Sequence, residues 1–165
     1  LLCGITHRIR RSLSLSEILR VTATEVRSLL KTDRVKVYKF HLDASGEVIA
    51  QSIDENRLPS LLGLNFPAED IPSNTRQWFQ QGRMQLIVDV DSQQIDPSAI
   101  ADRSTGTIGF EDIHCGSVEP YHTEYLTAMG VKSSLVLPIL HQQQLWGLLV
   151  SHHSEPKEIP LPELQ

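Results

Sequence analysis

The first stretch of the chain carries apolar residues at Ile5, Ile9, Leu13, Ile18, Leu19, Ala23, Val26, Leu29 and Leu30. That stripe has helical spacing, with one irregularity around Ser12 to Ser16. It predicts one long helix or two joined ones from Ile5 to about Lys31, with Ser16 and Glu17 as the start of the second. Arg34-Val35-Lys36-Val37-Tyr38-Lys39-Phe40 then alternates polar and apolar with period two. It reads as a half-buried strand with Val35 and Val37 or their alternates inward. A turn at Ala44-Ser45-Gly46 leads to a partner strand, Glu47 to Ile53.

Gly63, Pro67 and Pro72 break the segment from Ser60 to Pro72 into a structured loop, and Ser73 is expected to cap a helix over Asn74 to Gln81 that Gly82 ends. Met84 to Val90 is apolar in character and predicts a central strand. Asp91 to Phe110 is a long polar loop of the kind that tends to carry function. Pro120 suits the first turn of a helix in which Tyr121, Tyr125 and Ala128 form one row and His122, Leu126 and Met129 the next, until Gly130. Ser133 to Leu140 and Gln144 to His153 make a second hairpin across His141-Gln142-Gln143, with Trp146, Leu148, Val150 and His152 on one face. Hairpins with helices grouped around them predict an α+β fold on an antiparallel sheet.

At 165 residues, 40% of them hydrophobic, the chain fits one domain with one good core. It begins inside a helical pattern and stops at another, Leu161 to Gln165, which suggests a domain excised from a larger multidomain protein. A net charge of −5 argues against nucleic acid or an anionic membrane surface as partner, since both require a basic footprint. No apolar run is long enough to span a bilayer, and a cytoplasmic location is the expectation. Walker and GxGxxG sequences are absent, so nucleotide hydrolysis and dinucleotide binding have no support.

Three chemistries remain for the polar residues. His114, Cys115, His122, His152 and His153 are zinc-type ligands, but the adjacent pairs put the second residue on the opposite face and no CxxC or HxxxH occurs. Cys115 as a catalytic nucleophile is disfavoured, because Glu111, Asp112 and Glu119 would raise the thiol pKa. A cysteine at a pocket wall can instead hold a ligand as a thioether without turnover. The residues alone do not rank that above a plain buried cysteine, and His122 with Tyr121 and Tyr125 can equally line a cavity or fill a core.

Four motifs go further: Phe66-Pro67-Ala68-Glu69-Asp70-Ile71-Pro72, Ile87-Val88-Asp89-Val90, His122 to Val136, and Leu145-Trp146-Gly147-Leu148-Leu149 with His152-His153. Together they resemble the bilin-binding GAF domain of phytochromes and cyanobacteriochromes, the Thr127 to Leu135 wording being most similar to the cyanobacteriochrome branch. The resemblance implies a photosensory module, not an enzyme, that buries a linear tetrapyrrole against the sheet, phycocyanobilin first and biliverdin second. It implies that the pigment is photoisomerised beside ring D to control the other domains of a parent chain, such as a histidine kinase, with homodimerisation through the terminal helices. Carried residue by residue, it gives the Asp70 carbonyl the pyrrole N–H groups and His122 a contact with the ring system. Tyr38, Phe66 and Tyr125 are implied to pack around ring D, and His152 to contact its carbonyl.

Three positions depart from the family pattern. The usual attachment cysteine is here Tyr121, which leaves Cys115 as the expected tether. The propionate-clamping arginines are replaced by Gln85 and Gly116, with Arg83 and Lys132 as stand-in candidates. The second-cysteine loop is absent, Asp91-Ser92-Gln93-Gln94 standing in its place, which predicts a red or far-red dark state with Glu69, Asp70, Asp91, Glu111 and Asp112 as candidate tuning carboxylates. The competing readings are a GAF domain that binds a small effector such as a cyclic nucleotide, or a ligand-free dimerisation module.

Overall fold

The structure, a computed structural model, describes residues 14–91, 113–114 and 120–159, and for 113, 114 and 120–123 the backbone alone. The first half of the expected N-terminal helix, the polar loop after Asp91 and Cys115 lie outside the described residues.

Helix α1 spans Leu15–Leu30. It starts two residues earlier than the run of apolar positions suggests, because Ser14 and not Ser16 caps it: the Ser14 hydroxyl accepts from the Glu17 N–H at 3.2 Å. Lys31 ends it in the left-handed conformation, φ 52°. Seven strands follow: β1 Arg34–Phe40, β2 Gly46–Ile53, β3 Asn65–Phe66, β4 Met84–Ile87, β5 Ile113–His114, β6 Ser133–His141 and β7 Gln144–His153. Between them lie a 3-10 turn at Ala68–Asp70, helix α2 Ser73–Gln80 and helix α3 Pro120–Ala128.

The strands form one sheet in the order β3-β2-β1-β7-β6-β4-β5. Every pair is antiparallel except β4 with β5, so the antiparallel expectation holds apart from one edge. Both expected hairpins are present, and β7 joins them by pairing with β1 on its other side. The β6–β7 turn is tight, with Gln142 at φ 50° and Gln143 at φ 64°, the two positive angles that a two-residue hairpin loop needs.

Two expectations need correcting. Met84 to Val90 is not a central strand: β4 stops at Ile87 and sits one place in from the β5 edge, with its apolar character supplied by layers on both faces. Ser73 is not a cap but the first helical residue of α2; Pro72 precedes it, and no side chain caps that end.

The sheet is covered on both sides. Leu30 of α1 packs with Met84, Leu86, Leu135 and Ile159 on one face. On the other, Tyr38, Val136, Leu148 and Val150 pack with Leu61 and with Phe79 of α2. Strand β1 is therefore buried along both faces from Arg34 to Tyr38, which is more than the half-buried strand that its alternation implies. A third cluster, Leu58, Ile87, Val90, Leu126 and Val131, seats α3 at the end of the sheet. Among the described residues no helix is long and apolar enough to cross a membrane.

Candidate functional site

Strand alternation sends Val35 and Val37 to the α1 side and leaves Arg34, Lys36 and Tyr38 on the opposite face. Pairing then builds rows across the sheet. Arg34 faces His152, which faces Ser134. Lys36 faces Val150, then Val136, then Gln85. Tyr38 faces Leu148. Apart from Arg34, the residues of these rows are the floor of a cavity of about 310 Å³. Its walls are Phe66 of β3, the 3-10 turn with Glu69 and Asp70, then Ile71 and Pro72, Thr75 and Phe79 of α2, and Tyr125 of α3. The turn exists because Pro67 starts it in an extended conformation at φ −67° and Pro72 stops it; within it the Asp70 N–H reaches the Pro67 carbonyl at 3.2 Å.

Of the residues expected at the site, Tyr38, Phe66, Asp70, Tyr125 and His152 all line this cavity. Tyr121 and His122 fall on the first turn of α3, and their side chains, like the whole of Cys115, lie outside the described residues. The three aromatic rings form a chain: Phe66 is 6.0 Å from Tyr38 and 6.1 Å from Tyr125, the second contact edge-to-face at 89°. Trp146, expected on the same face as His152, is not at the cavity and lies under the Lys39 ammonium at 5.7 Å.

Electrostatics at the floor are unusual. Arg34 is fully buried; one guanidinium nitrogen donates to the Pro59 carbonyl at 2.6 Å and the other lies 2.6 Å from His152 Nδ1. Burial lowers its pKa to about 10, opposed by the charge of Tyr125, so it stays cationic at neutral pH. Lys36 is pushed further, to about 7, by burial first and then by Arg34, with Asp70 pulling the other way. The Tyr38 hydroxyl is raised to about 12 by burial and by the Asp70 charge, against Arg76, and remains protonated.

Neither stand-in candidate for the propionates lines the cavity. The Arg83 guanidinium stacks on Trp78 at 4.4 Å, and the Lys132 ammonium pairs with the exposed carboxylate of Asp91 at 2.5 Å. Lys36, Ser134 and Thr75 are lining residues that the sequence reading did not select. A usable signal for Lys36 was its period: two residues before Tyr38 in an alternating strand, it had to share that residue's face.

The lining suits an elongated conjugated ligand with polar edges. Its apolar and aromatic walls would hold a flat ring system, and the buried hydroxyls of Tyr38 and Ser134 have no hydrogen-bond partner among the described residues. No cluster of His, Cys, Asp or Glu with metal-binding geometry occurs among the described residues.

Comparison with known proteins agrees with this architecture. A profile of the GAF domain matches residues 14–164. The solved phycocyanobilin-bound GAF domain from a cyanobacterial phytochrome is 53% identical, with a TM-score of 0.80 over 99% of this chain and 83% of that one. The chromophore-binding domain of the Stigmatella aurantiaca bacteriophytochrome is 30% identical, with a TM-score of 0.82 over 98% of this chain and 53% of that one. Cyanobacterial phytochrome B of Nostoc sp. is 36% identical over 154 residues, 93% of this chain. The match spans only 20% of that relative's length.

Proposed function

The chain belongs to the GAF domain family, and from that premise we propose that its cavity holds a linear tetrapyrrole and that the domain is the light sensor of a larger protein. Phycocyanobilin is the pigment proposed first, because a GAF domain 53% identical to this one binds it; biliverdin is second. The observation that carries the reading is the convergence of Tyr38, Phe66, Asp70, Tyr125 and His152 on one cavity.

In this reading Asp70 offers acceptors to the pyrrole N–H edge, and His152 with the Tyr38 hydroxyl meets the polar end of ring D. The aromatic chain Tyr38–Phe66–Tyr125 forms the wall of that ring. His122 contacts the ring system from α3. The bound pigment supplies the photochemistry, a light-driven twist of the double bond before ring D. The protein binds, orients and keeps water out, and no turnover is required of it. The domain acts within a longer chain, proposed to be a phytochrome-like or cyanobacteriochrome signalling protein that dimerises through its terminal helices.

Cys115 is the proposed tether. Its S–H adds across the exocyclic double bond of ring A: sulfur bonds one carbon, the proton ends on the other, and no electrons leave the pair of reactants. With no second cysteine in the Asp91 loop, conjugation stays intact and the dark state absorbs red or far-red.

Co-expression with phycocyanobilin synthesis tests this directly. The expected product is a coloured protein whose band fluoresces with zinc after denaturation, with the pigment on the peptide that contains Cys115. Cys115→Ser should lose the denaturation-resistant pigment. A colourless wild type would overturn the pigment reading in favour of an effector-binding GAF domain, and pigment bound covalently in the serine variant would overturn the tether.

A further inference from the structure

Lys36 is the single lysine or arginine among the described residues that line the cavity. It stands at one end of the row Lys36, Val150, Val136, Gln85, which crosses four strands and so runs about 14 Å along the floor. Its ammonium lies at the aromatic end, 5.3 Å from the centroid of Phe66, the ring that links Tyr38 to Tyr125. The residue is 5% exposed, with its ammonium over a ring face and, of the nearby charges, Arg34 repelling it and Asp70 attracting it. An ammonium has three donors and strong hydration to replace, which a ring face does only in part. A buried cation held this way, over a cavity, is poised for an oxygen acceptor on the occupant.

A linear tetrapyrrole has such acceptors at its ends, since both terminal rings are lactams. Ring A is the one tethered through Cys115 in the reading above, which leaves ring D for the aromatic end. Resting on that reading, we propose that Lys36 is a pigment-binding residue whose ammonium donates a hydrogen bond to the carbonyl oxygen of ring D. The contact places a positive charge at the end of the conjugated system where the isomerising bond lies. Lys36 is thereby a determinant of colour as well as of ring position, and it does this from a strand whose other face is locked into the core by Val35 and Val37.

The test uses the domain co-expressed with phycocyanobilin synthesis as wild type, Lys36→Met and Lys36→Arg, read by light-minus-dark infrared difference spectra and by absorption. A hydrogen bond lowers a carbonyl stretching frequency. The ring D carbonyl band should therefore move to higher wavenumber in Lys36→Met, with a displaced absorption maximum, and stay near the wild-type position in Lys36→Arg. A methionine variant that folds but takes up no pigment, beside an arginine variant that does, also supports the contact. If Lys36→Met is coloured and its carbonyl band coincides with that of wild type, the contact is overturned while the bilin reading stands. A wild type without pigment overturns both.

Discussion

An Arg34 guanidinium nitrogen lies 2.6 Å from Nδ1 of His152, on the adjacent strand and in direct register. A guanidinium can only donate, so Nδ1 accepts and the proton of the neutral imidazole sits on Nε2. The arrangement fixes which way a cavity-lining histidine presents its N–H. It also makes Arg34 a positioning residue for the floor, since the same side chain ties β1 to the Pro59 carbonyl.

Replacing Arg34 with methionine removes the donor to the Pro59 carbonyl and to Nδ1 of the buried His152. The expected cost is about 3 kcal/mol of stability, read from the denaturant midpoint. The 15N shifts of His152 should lose the single-tautomer signature at the same time. A variant that keeps that signature would show that another group sets the tautomer.

Gly147 lies opposite Lys39 where β7 meets β1, and a Cβ there would fall 2.3 Å from the Tyr38 carbonyl oxygen. Gly147 is in the last pair of that ladder, and the atom it would meet is backbone, which can move only by disturbing the pairing. Gly147→Ala is expected to cost about 2–4 kcal/mol and to weaken amide-exchange protection along β1.

Gly46 is different, because the atoms that a Cβ would meet belong to a side chain: Tyr38 Cζ, Cε1 and Oη, at 2.1 to 2.3 Å. Gly46→Ala should displace the Tyr38 ring within the cavity, shifting the pigment spectrum at a stability cost of about 1–2 kcal/mol. Tyr38→Phe is the companion variant. It removes a buried hydroxyl with no partner among the described residues, so the pigment-free protein should match wild type within about 0.5 kcal/mol. A large loss of apo stability in Tyr38→Phe would mean that the hydroxyl is already engaged.

Lys36 has a folded pKa of about 7, below the ordinary lysine value of 10.5, because burial disfavours its charge. Between those values the unfolded chain binds the extra proton, so the stability of the pigment-free domain should rise with pH from about 7 to 10. In Lys36→Met that rise should flatten. At pH 7 the variant should be more stable than wild type by about 1–3 kcal/mol, as expected when a buried cation gives way to an apolar side chain of similar volume. Chemical denaturation across this range checks both.

Asp33 works in the opposite direction. Burial raises its carboxyl, but two hydrogen bonds from Ser154 and the charges of His153 and Arg57 outweigh that and hold it below 3.8. The Ser154 N–H donates at 2.9 Å, while His153 Nδ1, 3.2 Å away, is a charge contact without hydrogen-bond alignment. A depressed carboxylate stabilises the fold above its unfolded pKa and loses that contribution as pH falls through the folded value. Acid unfolding of wild type should therefore show a component below about pH 4 that Asp33→Asn lacks.

Much of this was legible in residue order. The alternation from Arg34 to Phe40 made β1, the positions around Gln142 and Gln143 made a tight hairpin, and the Phe66 to Pro72 motif marked the wall that carries Asp70. Period-two patterning reports which residues share a face, but not whether that face meets water or a second layer. For this reason the strand read as half-buried with its inward face left open, although both faces are covered and Lys36 lines a cavity walled by α2, α3 and the 3-10 turn. The position of β4 was out of reach for a similar reason: an apolar strand next to an edge, covered on both faces, looks like a central one.

By itself the sequence determined the elements, the family and the set of residues from which a binding cavity could be drawn, because those depend on local spacing and on motifs. Only the tertiary structure decided that β7 of one hairpin would pair with β1 of the other, and with it that Arg34 would meet His152 and that Lys36 would share a row with Gln85. Those juxtapositions join residues about 50 to 118 apart in the chain. They follow from which strand edges pair and from layers closing over both faces, and the chemistry of the cavity follows from them.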